Sequence, residues 1–331
     1  MKINFVLGND LKKFGGIQRH VTSLRKHLEE KGTEVLVLGK SDEDFIFAGK
    51  AIPGLKKILR YFRSIETFHF FGFTCFYVAF ILKLVSKDAN IVYTPCMHPF
   101  ATHRHPILAK IFFSIFLKPS LKKIDKLIVL SKYEFDFFKD FLDETVITII
   151  PSGIENVGDI AIGIASGDYF LFVGRDDENK RLFLLERLAE IVQDLNFVFV
   201  TNKRKPNRSN VTYLNGVSDE DLQALFSKAT ATIVPSKYES FSIVALESLA
   251  NGTPIIITEN VQIKSFLSQN IMTIVYESDV LNNLEHAVRD IAGKTANDMD
   301  IRRTSIEAAK GFLWLEIADE HVKIYCNLGK K

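Results

Sequence analysis

Short apolar runs recur along the chain at intervals that leave room for a helix between them. They lie at residues 2–8, 34–39, 90–94, 126–131 and 145–150, and then at 168–173, 196–201, 210–214, 231–235, 254–258 and 271–275. Most are continuously apolar rather than alternating, which is typical of strands in a parallel sheet covered on both faces. The pattern predicts an α/β fold with two doubly wound, Rossmann-like domains.

The division between these domains is expected where the periodicity fades. Residues 154–167 contain three glycines and little helical or strand pattern, which indicates a linker. A length of 331 residues also suits two domains of ordinary size. We therefore predict a first domain over residues 1–155 and a second over residues 168–311.

Cysteine usage and the amino terminus bear on the compartment. Cys75, Cys96 and Cys326 show no C-x-x-C spacing, which favours a reducing cytoplasm over a disulfide framework or a cysteine metal cluster. The segment after Met1 turns polar too soon for a signal peptide. We expect a cytoplasmic protein with no disulfide framework.

Basic charge is concentrated in the first half of the chain. Residues 1–150 carry 23 Lys and Arg against 15 Asp and Glu, whereas the remainder carries 19 against 25. Within the first half, residues 50–126 hold 13 basic and 3 acidic residues. One domain is therefore expected to present a basic face that the other lacks. The chain shows no recognised nucleic-acid-binding module, so we expect no nucleic-acid partner.

Two segments of the basic region mix cations with aromatic residues. Residues 53–63 are basic and amphipathic, and the apolar run over 68–82, about 15 residues, is shorter than a bilayer span, so it predicts a buried helix. Residues 110–118, followed by Lys122 and Lys123, repeat the basic and aromatic character. Such segments suit peripheral contact with an anionic membrane. The alternative is a solvated basic face over a phenylalanine-rich core.

The stretch from Tyr238 to Gly252 carries the most informative polar pattern. It follows an apolar strand and reads as a loop leading into a helix that ends at Asn251-Gly252. Glu239 lies in the loop and Glu247 in the helix, while the helix start offers unpaired amides to a phosphate, those of Phe241, Ser242 and Ile243. A nucleotide-sugar has hydroxyls on both sides of its diphosphate, which suits this arrangement. Alternatively, both carboxylates are ordinary solvated charges.

Two cations follow the strand at 168–173. Arg175 lies at the carboxyl end of that strand and Lys180 at the start of the next helix. Arginine offers a planar fork to phosphate and lysine a point charge, so together they suit a diphosphate. The alternative is a surface ion-pair cluster with the acidic residues at 176–178.

The first domain contributes two further candidates. Gly15-Gly16 opens a helix whose apolar face carries Ile17, Val21, Leu24 and Leu28, and glycine there lets a ligand approach the backbone. A tight loop that needs glycine is the alternative. His98 follows the strand at 90–94, at the edge where open α/β sheets bind ligands. His103 and His105 are less favoured candidates for the same place, and a purely structural histidine is the alternative. Because no carboxylate or cysteine has ligand spacing around these histidines, we expect no metal.

These pieces occur together in one order. They are Gly15-Gly16 with Arg19-His20, Tyr93-Thr94-Pro95 with His98-Pro99, Leu130-Ser131-Lys132-Tyr133-Glu134, Ile150-Pro151-Ser152-Gly153-Ile154, Val173-Gly174-Arg175 with Lys180, and the segment from Glu239 to Glu247. Their order and spacing resemble those of the family 4 glycosyltransferases, which are retaining enzymes of the GT-B fold. The resemblance implies two Rossmann-like domains facing a central cleft. It also implies that the ending at 312–328 is a helix that packs back on the first domain.

The resemblance also implies roles for individual residues. Arg175 and Lys180 hold the donor diphosphate, Glu247 bonds the ribose, and Glu239 contacts the donor sugar. The amides at Phe241, Ser242 and Ile243 cap the phosphate or sugar, Gly15-Gly16 leave space for the diphosphate, and His98 bonds the transferred sugar. The catalytic contributions are thus expected from Glu239, His98, Arg175 and Lys180, with no metal or other cofactor.

The implied reaction moves a sugar from a nucleotide-sugar to an acceptor hydroxyl with retention, the acceptor being a glycan or lipid-linked precursor at the inner face of the membrane. This chain departs from the family at Ser240 and Ser242, where glycine is frequent, and at residues 201–204, where a glycine-rich turn is common. Two other functions stay open: a nucleotide-sugar epimerase of the same architecture, and a non-catalytic partner subunit.

Overall fold

The computed structural model describes residues 1–7, 15–38, 45–47, 50–52, 67–72, 88–96, 113–157, 168–202, 208–294 and 299–329. The chain forms two compact units. The first comprises Met1–Glu155 with Trp314–Lys331, and the second comprises Asn156–Leu313. Each unit contains a six-stranded parallel sheet within these described ranges.

The strands are, in chain order, β1 (Lys2–Leu7), β2 (Glu34–Leu38), β3 (Phe45–Phe47), β4 (Lys50–Ile52), β5 (Thr67–Phe71), β6 (Asn90–Thr94), β7 (Lys126–Val129), β8 (Ile147–Ile149), β9 (Tyr169–Val173), β10 (Asn196–Val200), β11 (Val211–Leu214), β12 (Ala231–Val234), β13 (Ile255–Thr258) and β14 (Met272–Val275). The first sheet has the order β2-β1-β5-β6-β7-β8 and the second β11-β10-β9-β12-β13-β14. The antiparallel pair β3-β4 stands apart from both.

The helices are α1 (Gly16–Glu30), α2 (Lys118–Leu121), α3 (Lys132–Phe138), α4 (Leu182–Ile191), α5 (Asp219–Lys228), α6 (Ile243–Ala250), α7 (Val280–Lys294), α8 (Met299–Lys310) and α9 (Trp314–Leu328). A π-helix, Phe113–Leu117, precedes α2, and short 3₁₀ turns connect several of the other elements. Within the described part of the chain, no helix is both long enough and apolar enough to cross a bilayer.

The periodicity of the sequence placed most of these elements. Every strand predicted from an apolar run is confirmed, with bounds that differ by at most two residues. The predicted apolar face of α1 is confirmed as well, because Val21, Leu24 and Leu28 are fully buried. Gly252 adopts the predicted left-handed conformation after α6, with φ of 77°.

The prediction of a buried helix over 68–82 was wrong at its start. Residues Thr67–Phe71 form β5, which lies between β1 and β6 in the middle of the first sheet. Phe68, Phe70 and Phe71 are at most 1% exposed, and a short aromatic run buried on both faces suits a strand better than a helix. Residues 73–82 of that run and the whole of 53–63 lie outside the described residues.

The second basic and aromatic segment is described from residue 113 onward. Phe113 and Leu117 of the π-helix are buried, whereas Ile115 is 59% exposed. Lys118, Lys122 and Lys123 are exposed around the short helix α2. Phe113 and Leu117 therefore pack in the core of the first unit, whereas Ile115 is exposed to solvent near the three exposed lysines.

Helix α9 completes the core of the first unit, although more than 150 residues of sequence separate it from the rest of that unit. Trp314, Ile317 and Tyr325 are buried in the same apolar cluster as residues of β1 and α1. The backbone amide of Trp314 donates to the carbonyl of Ile154 at 2.9 Å. The first sheet is thus covered on one face by the carboxyl-terminal helix.

Three histidines at this contact are at most 2% exposed. The ring of His69 bonds the Tyr325 hydroxyl at 2.6 Å and the Thr94 hydroxyl at 2.7 Å. His20 bonds Ser152 Oγ at 3.0 Å, and His321 Nδ1 donates to the carbonyl of Ile317 at 2.8 Å. Burial lowers the pKa of His20 to about 3 and that of His321 to about 4, and it holds the pKa of His69 well below its usual range. All three rings are therefore neutral near pH 7.

This cluster predicts acid sensitivity of the first unit. The unfolded chain binds protons on these histidines near pH 6.5, whereas the folded chain does not until the pH is much lower. The contribution of these neutral histidines to the free energy of unfolding is therefore fully present above about pH 6.5. It is lost as the pH falls toward 4, by up to about 1.4 kcal/mol per pH unit for each histidine. Urea unfolding of the full chain between pH 7.5 and 4.5 measures the loss.

His321→Leu should reduce that pH dependence, because the variant removes one neutral ring from the cluster. His286→Leu is the control, since His286 is exposed on α7 in the other unit. An equal pH dependence in His321→Leu and wild type would contradict the assignment.

Candidate functional site

The second sheet has one point at which its strand order reverses, between the neighbours β9 and β12. Chain crossovers leave in opposite directions on the two sides of such a point, so a crevice opens at the carboxyl ends of its strands, where α/β proteins bind ligands. Two loops begin there. We call residues 174–181 the lysine loop and residues 235–242 the glutamate loop. The predicted site residues of the second unit lie in these loops or in α6.

Lys180 and Glu239 form an ion pair between the two loops. The Nζ atom of Lys180 lies 2.6 Å from Oε1 of Glu239, and the side chains are only 18% and 12% exposed. The Ser236 hydroxyl donates to the same oxygen at 2.6 Å. Glu239 is therefore not the solvated loop charge of the alternative interpretation.

The ionised form of Glu239 is favoured by its surroundings. Burial raises the pKa of this carboxyl, but the charge and hydrogen bond of Lys180 outweigh that effect, together with the hydroxyls of Ser236 and Ser242. The net result is a pKa below the usual range. The site thus holds a fixed negative charge beside a fixed positive one.

The lysine loop is organised around Asp177. One carboxylate oxygen accepts hydrogen bonds from the amides of Asn179 at 3.1 Å and Lys180 at 2.9 Å. The other lies 3.0 Å from the guanidinium of Arg175, whose side chain is 58% exposed. The predicted surface ion pair is therefore present for Arg175, whereas Lys180 turns to the glutamate loop instead.

The start of α6 presents backbone rather than side chains. The Phe241 ring is buried against Phe266 and Phe312, with centroid distances of 5.8 and 5.5 Å. Ser242 is the cap residue, and its hydroxyl accepts from the amide of Ala245 at 3.4 Å. Ile243 begins the helix, so its amide lies in the first turn, where amides have no partner within the helix and the helix dipole is positive. Phe241 and Ser242 directly precede it. Glu247 follows in the second turn and is partly buried.

The glycines of the first unit are not required by backbone conformation. Gly15 precedes α1 with φ of 178°, an extended geometry that any residue adopts. A Cβ at Gly16 would meet nothing within 4 Å, and one at Gly15 would press only on the flexible side chain of Gln18. The tight-loop interpretation is therefore not supported. His98 lies outside the described residues.

Several residues around the pair were not predicted as site residues. Asp177 and Ser236 hold Lys180 and Glu239, as described above. Arg181 adopts a left-handed conformation with φ of 54°, and its guanidinium bonds both oxygens of Glu277 at 2.8 Å. The signal for Asp177 was its position three residues before Lys180, which suits a side-chain turn to the backbone.

Ser242 is strained, which leads to a prediction on stability. Its φ of 103° is rarely adopted by a residue with a side chain, and such conformations cost roughly 1–3 kcal/mol. Ser242→Gly removes that cost, but like Ser242→Ala it forfeits the capping bond and the hydroxyl that favours ionised Glu239. We therefore expect the free energy of unfolding of Ser242→Gly to exceed that of Ser242→Ala by about 2 kcal/mol, measured by urea titration. Ser218, at the cap of α5 with ordinary φ of −66°, is the control; an equal difference between the glycine and alanine variants at both sites would contradict the assignment.

Comparison with sequence families agrees with this arrangement. The model of glycosyltransferase family 4 matches residues 14–156, and the model of glycosyl transferases group 1 matches residues 163–302. The first match contains Gly15 and Gly16, and the second contains both loops and α6. Together they span most of the chain.

Individual relatives are distant in sequence. The O-antigen chain mannosyltransferase RfbU of Salmonella typhimurium is 27% identical over 46% of this chain and 47% of its own length. The phosphatidyl-myo-inositol mannosyltransferase of Propionibacterium freudenreichii is 22% identical over 100% of this chain and 96% of its own. The matches to RfbU and to two further curated relatives span 47%, 30% and 57% of those proteins.

Solved structures show the same fold. Sucrose-phosphate synthase from Thermosynechococcus elongatus matches with a TM-score of 0.81 at 17% identity, over 99% of each chain. That likeness and the two parallel six-stranded sheets identify the GT-B fold. With both family models matched in order along one chain, the protein belongs to the family 4 glycosyltransferases.

Proposed function

We propose that this protein is a retaining glycosyltransferase that moves a hexosyl group from a nucleoside-diphosphate sugar to an acceptor hydroxyl. The observation that carries the proposal is the buried Lys180–Glu239 pair, 2.6 Å apart, at the strand-order reversal of the second sheet. Two mannosyltransferases among its relatives support a hexose as the transferred sugar.

The cations of the lysine loop receive the diphosphate in this proposal. Lys180 and Arg175 are each held by a carboxylate, Glu239 and Asp177 respectively. A diphosphate carries enough charge to replace or share both contacts, and arginine can bind it with two hydrogen bonds. The amides at the start of α6 add backbone donors to the same anion.

The carboxylates and the first-unit residues receive the rest of the donor. Glu239 accepts hydrogen bonds from sugar hydroxyls, and Glu247 accepts those of the ribose. Gly15 and Gly16 leave the backbone of α1 open to the diphosphate. His98 donates to the transferred sugar. No metal is assigned a role, since cations and amides neutralise the diphosphate.

The reaction breaks the bond between the anomeric carbon and the diphosphate oxygen, whose electron pair stays on the leaving diphosphate. The acceptor oxygen bonds the anomeric carbon on the same face, and its proton passes to a diphosphate oxygen. Negative charge therefore grows where Lys180, Arg175 and the α6 amides are aimed. Preorganised charges of this kind usually supply the largest part of catalysis.

The diphosphate assignment is tested at Lys180. A thermal-shift panel of nucleoside diphosphates and their sugars should identify a ligand that raises the melting temperature of wild type, because only the native state binds it. Lys180→Ala should weaken the binding that causes this shift and lower turnover by about 100-fold or more. The anomeric configuration of the product, read by NMR, tests retention.

Lys180→Ala leaves Glu239 buried without its cation, so Lys180→Ala with Glu239→Gln is measured beside it to keep the fold comparable. Lys310→Ala is the matched control, because its exposed pair with Glu307 at 2.6 Å lies outside the site. Unchanged donor binding and turnover in Lys180→Ala would refute the assignment.

The acceptor is proposed to be a glycan or a lipid-linked precursor, met at the cytoplasmic face of an anionic membrane. Ile115 is 59% exposed, and Lys118, Lys122 and Lys123 are exposed next to it. An apolar side chain among cations suits insertion at an anionic surface, where each cation contributes about 1 kcal/mol.

Liposome flotation tests this surface. Wild type should float with vesicles containing anionic lipid at low salt, and Lys122→Glu with Lys123→Glu should remain in the soluble fraction because both attractions become repulsions. The charge-matched control, Lys228→Glu with Lys310→Glu, changes two exposed lysines of the second unit and should float like wild type. Equal flotation of all three proteins would show that this surface does not bind the membrane.

A further inference from the structure

Three contacts join the lysine loop to the glutamate loop in register. The amide of Lys237 donates to the carbonyl of Asn179 at 2.8 Å. The side-chain amide of Asn179 donates to the carbonyl of Tyr238 at 3.1 Å. The third contact is the pair of Lys180 with Glu239 at 2.6 Å. Consecutive residues of one loop thus meet consecutive residues of the other.

Asn179 takes part in this junction through both its backbone and its side chain. Its backbone amide donates to the Asp177 carboxylate at 3.1 Å. Asn179 is therefore hydrogen-bonded within the lysine loop as well as to the glutamate loop. It directly precedes Lys180, and the carbonyl that it bonds directly precedes Glu239. A shift of Asn179 relative to Tyr238 therefore moves the Lys180 side chain relative to the Glu239 carboxylate.

The glutamate loop is also held from the side of β13, because the Glu239 amide donates to the carbonyl of Asn260 at 3.2 Å and the Thr258 hydroxyl donates to the carbonyl of Ser236 at 2.6 Å. The lysine loop is therefore the one that this junction positions.

The loops belong to different strands, β9 and β12, which pair over only two registered positions, Ala231 with Phe170 and Thr232 with Leu171. Those pairs lie before the ends of the strands, so the sheet does not register the loops themselves. The loops are held against each other by the backbone bond from Lys237 to Asn179, by the Asn179 side chain and by the ion pair, and a displacement of about 1 Å is enough to weaken a catalytic arrangement substantially.

We propose that Asn179 is a positioning residue of the glycosyl-transfer site. Its side-chain amide holds the lysine loop against the glutamate loop and so fixes the separation of Lys180 from Glu239. The inference rests on the proposed function for its catalytic meaning. Its structural content, the coupling of Asn179 to the ion pair, stands without that function.

The coupling predicts a change in the titration of Glu239. Asn179→Ala lets Lys180 move away from the carboxylate, so the pKa of Glu239 should rise by about one unit. We would measure this by carbon NMR on the full-length protein labelled at glutamate carboxyls, with Glu239→Gln identifying the resonance. A role confined to stability would lower the unfolding midpoint and leave this titration in place.

Asn215→Ala is the matched control. The Asn215 side-chain amide also donates to a backbone carbonyl of the same unit, that of Thr201 at 2.8 Å, through a partly buried hydrogen bond. It should leave the Glu239 titration as in wild type. Asn179→Leu, which keeps the branched shape of the side chain without the donor, should reproduce the Asn179→Ala result. It is measured instead if the alanine variant fails to fold.

The functional consequence is measured with GDP and UDP as probes. Asn179→Ala should weaken the affinity for the nucleotide that wild type binds by about tenfold, and it should have no further effect in a Lys180→Ala background, because the two changes act through one interaction. Additive losses, or an unchanged Glu239 titration, would overturn the proposal. If wild type binds neither nucleotide, the donor assignment fails, while the carboxyl titration still decides whether Asn179 positions the pair.

Discussion

The structure depends on covering both faces of each parallel sheet. Parallel strands cannot be joined by tight hairpins, so the chain crosses back through helices that bury the sheet faces. That constraint places every loop that follows a strand at the same edge of its sheet. In the second unit the strand order reverses between β9 and β12, and the loops there carry a lysine and a glutamate that meet at 2.6 Å. The site is a consequence of the sheet topology.

Burying such a pair is costly, and the surroundings show how the cost is limited. Two desolvated charges lose more hydration than their attraction returns unless further hydrogen bonds satisfy them. Glu239 receives the Ser236 hydroxyl in addition to Lys180, and Asp177 fixes the backbone that carries the lysine. The arrangement holds charge in place before a ligand arrives. A preorganised site of this kind avoids reorganisation during reaction, which is how enzymes stabilise developing charge.

Sequence reasoning placed the sheets well and predicted that Lys180 and Glu239 lie near each other. Apolar runs located the strands, because burial on both faces leaves a continuous hydrophobic signal. It failed at β5, where His69 interrupts the run and is satisfied only by Tyr325 and Thr94, which are distant in sequence. The nearness of Lys180 to Glu239 followed from both lying after strands. The bonds of Ser236, Asp177 and Asn179, and the φ of Ser242, depend on the exact path of two loops, which periodicity does not encode.

Helix α9 affects the order in which the two units fold during translation. The second unit is continuous in sequence, whereas the first unit lacks part of its core until residues 314–328 emerge. Until then the face of the first sheet that receives Trp314 and Tyr325 is uncovered, and His69 lacks one of its two hydroxyl partners, that of Tyr325. The unit translated first is therefore the one completed last, and for the length of about 160 intervening residues it is the part of a nascent chain that a chaperone would recognise.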